Sequence, residues 1–161
     1  MILFLKQCRT AIEFNLYLRQ NHHMEFSEIA SISGKSGLYK ILKPGKSAVV
    51  LEAMDATKTK IVAGASHRVS VLNEISIYTT TKEGTVPLAD VLRKINEQFG
   101  SDLGIDGESD PRELRAFLKS VLPEFDEQRV YVSDIKKLVK WYGILLTEAP
   151  EILKSAEKEK K

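Results

Sequence analysis

Arg68-Val69-Ser70-Val71-Leu72-Asn73-Glu74-Ile75-Ser76-Ile77-Tyr78 is the stretch on which the fold turns. Val69 and Val71 alternate with polar neighbours, and Ile75 and Ile77 repeat the pattern, so each half has the period of a β-strand. Paired residues share a face of a sheet. Pairing Val71 with Ile75 therefore predicts a hairpin with Leu72-Asn73-Glu74 as its loop, Asn73 supplying a left-handed backbone. That register sets Ser70 opposite Ser76 and Arg68 opposite Tyr78, on the outer face.

A second phrase, Ile32-Ser33-Gly34-Lys35-Ser36-Gly37-Leu38-Tyr39-Lys40, opens the same β region. Leu38 to Lys43 is predicted as a strand closed by the turn pair Pro44-Gly45. Ala48 to Met54 follows, then a turn at Asp55 to Lys58, then Thr59 to Ala63. Five short strands separated by turn residues predict a small barrel. The fold class expected is α+β: a small SH3-like β-barrel followed by a three-helix segment.

The helices are read from period and caps. Pro87 suits a first helical position, and Leu88, Val91, Leu92, Ile95 and Phe99 form one stripe. Asp110 is predicted to cap a second helix, with Pro111 in its first turn, Glu113 closing a capping box, and the stripe Leu114, Phe117, Leu118 and Val121. Arg129 to Val132 reads as extended. Ser133 is predicted to cap a third helix with stripe Ile135, Leu138, Val139, Tyr142 and Leu146. The organisation expected is 24–80 as barrel, 81–150 as helical domain and 151–161 as charged tail. Residues 1–23 read as a non-native N-terminal extension, with Met24 as the natural start.

Composition narrows the function classes. The chain has 161 residues and a net charge of +2, so it is no polycation. Its single cysteine, Cys8, rules out an intrachain disulfide and fits a reducing cytoplasm. No run approaches a membrane span. Residues 30–79 carry seven lysines and arginines against three acids, whereas residues 80–161 carry fourteen against sixteen. The basic surplus sits on the predicted barrel.

No motif carries catalysis. Gly34-Lys35-Ser36 and Gly45-Lys46-Ser47 mimic a phosphate loop, but Ile29 and Lys40 stand where its first glycine belongs, and strands follow where it needs a helix. Asp102 to Glu113 mimics a calcium loop, but Gly104 removes one ligand. His22, His23 and His67 lack the spacing of a zinc site. Trp141-Tyr142 reads as packing, since Tyr142 is on the apolar stripe. Lys35, Tyr39, Lys40, Arg68 and Tyr78 are the candidate ligand-binding residues, a basic face bearing aromatics of the kind that binds nucleic acid.

The phrases at 29–40 and 68–79 resemble those of an uncharacterised two-part bacterial family common in Bacteroidetes, whose members are domains of unknown function. The resemblance extends through Leu114-Arg115-Ala116-Phe117, Leu122-Pro123-Glu124-Phe125-Asp126 and Arg129-Val130-Tyr131-Val132-Ser133-Asp134-Ile135-Lys136-Lys137 to Trp141-Tyr142. Members begin just before the Ser31-to-Lys35 phrase, which implies a start at Met24. The resemblance implies no activity, catalytic residue or cofactor. The expectation is a non-enzymatic cytoplasmic binding module, with nucleic acid as partner. The alternative is a protein–protein adaptor or homo-oligomer.

Overall fold

The computed structural model describes residues 24–154, so the expected extension at 1–23 lies outside the described residues. Five strands form one antiparallel sheet: β1 (Ile29–Ile32), β2 (Leu38–Lys43), β3 (Ala48–Ala53), β4 (Lys60–Gly64) and β5 (Val69–Val71). Their order is β4-β3-β2-β1-β5, so β4 and β5 are edges and no ladder joins them. Three α-helices follow among the described residues: α1 (Leu88–Phe99), α2 (Pro111–Val121) and α3 (Val132–Glu148). The architecture is α+β.

Register explains the sheet's two faces. Ala30 pairs with Tyr39 and Val71, Tyr39 with Ala53, Ile41 with Leu51, and Leu51 with Ile61. Cross-strand partners share a face, so these residues line one apolar surface, where Ala30, Ile32, Tyr39, Leu51, Ala53 and Ala63 are buried. The opposite face is split. Ile29 and Leu38 pack into the helical core, while Lys40, Glu52 and Lys60 stand opposite one another across β2, β3 and β4.

The predicted hairpin does not form. β5 pairs with β1, with Ile32 opposite Val69. Leu72–Glu74 is a 3-10 turn in which the Ile75 N–H donates to the Leu72 carbonyl. Leu72 is fully buried beside the helices. Its side chain is a core anchor and not part of a loop, and that anchoring carries the chain out of the first sheet. Ser76–Tyr78 becomes β6 and pairs with β7 (Thr85–Pro87) in a separate two-stranded sheet. Arg68 is therefore not opposite Tyr78, nor Ser70 opposite Ser76.

The helix stripes lie where the periodicity puts them. Leu88, Val91, Leu92, Ile95, Leu114, Phe117, Leu118 and Val121 are all buried. The Asp110 carboxylate caps α2 by accepting the Arg112 N–H at 2.8 Å. Two details differ. The N-cap of α3 is Tyr131, not Ser133, and its N–H donates to the Asp134 carboxylate at 3.1 Å. Arg129–Val132 is not extended: the Arg129 and Val130 N–H groups both turn back to the Asp126 carbonyl.

Sheet and helices share one apolar core. Phe26, Ile29, Leu38, Met54 and Leu72 join the buried faces of all three helices. Polar contacts tie the same junction, with the Lys140 ammonium 3.4 Å from the Ser36 hydroxyl and Lys58 paired with Glu148. Pro150–Leu153 forms a 3-10 turn that buries Ile152 and Leu153. Tyr142 is buried, and its hydroxyl donates to the Gly100 carbonyl. Burial pushes its pKa up. No helix of the described residues is long and apolar enough to cross a membrane.

Candidate functional site

The five candidate residues do not converge. Lys35 is exposed in the β1–β2 turn, a turn that places Gly34 at φ +83, a conformation that favours glycine. Arg68 lies at the same end of the sheet, where its carbonyl accepts the Ser33 N–H at 2.9 Å. Lys40 is further along β2, opposite Ile29 and Glu52. Tyr39 is only 7% exposed and belongs to the inner apolar face, so it is a core residue and offers no ring to a ligand. The alternation that sets Tyr39 opposite Ala30 and Ala53 directs it inward. Tyr78 is on the second sheet, 42% exposed.

Tyr78 has a cationic neighbour, though not the expected one. The Arg129 guanidinium lies 3.8 Å from its ring centroid. Backbone pairing makes this neighbourhood. Thr79 bridges Phe125, the Thr80 N–H donates to the Glu124 carbonyl at 2.8 Å, and the Asp126 N–H donates to the Tyr78 carbonyl at 2.9 Å. The α2–α3 connection is thus held against β6, and Arg129 arrives at Tyr78 from about fifty positions away in the chain.

Behind this pair is a cavity of about 280 Å³ between β6, α2 and α3. Ile77, Leu118 and Leu138 supply apolar wall, and Arg129 and Lys137 supply positive charge. Neither cation has an ion-pair partner among the described residues. Asp134 also lines the cavity, but its carboxylate is engaged by the Tyr131 N–H. Trp141 forms another wall and is 9% exposed. Its indole N–H is fully buried and has no acceptor among the described residues. Arg93 Nε is the other such donor, but its guanidinium lies over Phe26 and reaches Asp90, so that charge is accommodated.

An apolar cleft with a few convergent polar groups is the ordinary form of a small-ligand site. The sequence reading found Tyr78 but missed Arg129, Lys137 and Ser76. A signal for Trp141 did exist: it stands three residues after Leu138 and four before Leu145, on the buried stripe. No local pattern signals Arg129, because its partner lies in a distant segment.

The carboxylates of the calcium-like loop serve the backbone. Asp102 accepts the Gly104 N–H at 2.9 Å, Asp106 the Glu108 N–H at 2.7 Å, and Asp110 caps α2. Among the described residues no three histidine, cysteine or carboxylate side chains cluster as a metal site.

Two family models divide the chain at the Leu72–Glu74 turn. A domain of unknown function (DUF5606) matches residues 26–72, and a second domain of unknown function (DUF6852) matches residues 75–145. The chain belongs to the two-part Bacteroidetes family that these domains define. It is similar to a protein from Bacteroides vulgatus, a structural-genomics target solved in solution by NMR. The two are 35% identical over 76% of this chain and 87% of that one, with a TM-score of 0.56. No curated protein matches this chain.

Proposed function

We propose that this protein is a non-enzymatic binding module that holds a small carboxylate- or carbonyl-bearing ligand in the cavity between β6 and α3. The observation that carries this reading is the buried indole N–H of Trp141, which has no acceptor among the described residues. A buried donor left unpaired costs about 1–3 kcal/mol, which a ligand oxygen in the cavity offsets once a small rotation of the ring opens the N–H to it. Arg129 and Lys137 favour an anion there. The volume, about 280 Å³, suits one short aliphatic group and is too small for a dinucleotide or a flavin.

Trp141 is the single tryptophan of the chain, so its emission reports this cavity alone. Titration with sodium hexanoate is expected to change that emission saturably. An unchanged spectrum up to roughly 100 mM, far above the Kd of even a weak ligand, would overturn the reading.

A second reading rests on the sheet. The meander order β5-β1-β2-β3-β4 supports an SH3-like barrel closed by side chains of its apolar face, without a β4–β5 ladder. Lys35, Arg68 and Lys140 lie at its β1–β2 end. Such a cluster favours phosphate. Anisotropy of labelled single-stranded DNA or RNA is expected to reveal binding that weakens steeply between ~50 and ~200 mM salt. Absence of binding at the lower salt removes this reading and leaves the cavity untouched.

A further inference from the structure

Ligand class follows from the edge of β6, on the premise that the cavity is a binding site. In β6 and β7 the Thr79 N–H donates to the Gly84 carbonyl, and the Leu88 N–H donates to the Ile75 carbonyl. Antiparallel strands alternate between residues that bond across the pair and residues that point away from it. Ile75, Ile77 and Thr79 therefore address β7, and the N–H and C=O of Ser76 and Tyr78 point to the other side. The Tyr78 carbonyl confirms this parity, since it accepts the Asp126 N–H from that side.

Ser76 is exposed, lines the cavity, and has no backbone partner on its outer side among the described residues. One residue of free strand edge thus stands beside an apolar cavity with a cationic rim. The edge is closed beyond it, because residues 124–126 already pair with residues 78–80. A strand added at Ser76 cannot run on along β6. It must end or turn there.

We propose that the site takes the C-terminal residue of a partner polypeptide. The peptide runs parallel to β6, arriving from the Ile75 side: the Ser76 carbonyl accepts the N–H of the last residue, and the Ser76 N–H donates to the carbonyl two residues earlier, in the manner of strand addition at a sheet edge. The last residue's side chain enters the cavity against Ile77, Leu118 and Leu138. Its carboxylate meets Arg129 and Lys137, with the Trp141 N–H as a further donor to a peptide or carboxylate oxygen. A free chain end supplies the stop that the blocked edge requires and the negative charge that Arg129 and Lys137 favour. The volume suits one medium apolar side chain.

The test uses the full chain and acetylated tetrapeptides ending in Ala, Val, Leu or Phe, each as free acid and as C-terminal amide, with hexanoate in parallel. Trp141 emission and the ¹H–¹⁵N resonance of Ser76 are followed together. At least one free acid is expected to bind about tenfold tighter than both its amide and hexanoate, the worth of one charge-assisted hydrogen bond. The Ser76 amide should shift downfield, and Arg129→Gln should erase most of the acid-over-amide preference. Equal affinity of acid and amide, or an unmoved Ser76 amide, overturns the proposal. If hexanoate perturbs Trp141 while every peptide fails, the cavity remains a small-carboxylate site and the peptide reading falls. If neither acts, both fall.

Discussion

Leu72→Ala is expected to lower the free energy of unfolding by about 2–5 kcal/mol and the melting temperature by on the order of 10 °C. Leu72 is fully buried in the 3-10 turn between the two sheets, within the core that also holds Ile29, Leu38 and the helix faces. Deleting its side chain removes apolar burial and leaves a void that this junction cannot refill without moving two sheets. Total stabilities of small proteins are about 5–15 kcal/mol, so the loss is a large share. Because one core spans both family segments, helix and sheet signals should melt together in the variant as in the parent. Far-UV circular dichroism and tyrosine fluorescence, recorded on the same heating ramp, check this. Two separated transitions would show that residues 26–72 and 75–145 are stabilised independently.

Trp141→Phe should separate binding from stability. Phenylalanine keeps most of the apolar packing in the core that holds Leu138 and Leu145 and removes a buried donor that has no acceptor among the described residues. Loss of packing destabilises by about 1–3 kcal/mol, and removal of the unpaired N–H returns a similar amount. The melting temperature should therefore stay close to that of the parent. Affinity for hexanoate should fall about tenfold, since a hydrogen bond to a charged acceptor contributes about 1.5–3 kcal/mol. Ligand-observed NMR measures this without the tryptophan. Unchanged affinity would mean that the indole N–H plays no part in binding. A collapse in stability would mean that the ring's shape, not its N–H, is what the site needs.

The helices were the most legible part of the chain. Leu114, Phe117, Leu118 and Val121 stand on one stripe, and Asp110 has the side chain a helix start needs, so period and cap agree. β1 was not legible. All four of its residues are buried, because Ala30 and Ile32 face the inner apolar surface while Ile29 faces the helices. A strand covered on both faces loses the alternation that marks strands in sequence. With β1 unseen, β5 had no visible partner except β6, and the hairpin through Leu72 was the natural error. The candidate site failed for a related reason. Lys35 and Arg68 lie at one end of the sheet because β1 and β5 pair, but Tyr39 points inward and Tyr78 belongs to another sheet. Arg129 reaches Tyr78 through the Thr79–Phe125 bridge, a contact between segments that carry no shared pattern. Whether the Trp141 N–H finds an acceptor is a question of three-dimensional surroundings alone.

The most direct test of the cavity is the indole Nε1–H resonance of Trp141, a single cross-peak because the chain has one tryptophan. Addition of hexanoate to the ¹⁵N-labelled full chain should move that peak downfield, saturably, as the N–H gains a carboxylate acceptor, with Arg129 and Lys137 amides shifting in parallel. A peak that stays in place while hexanoate reaches roughly 100 mM would contradict the assignment of this cavity as a ligand site.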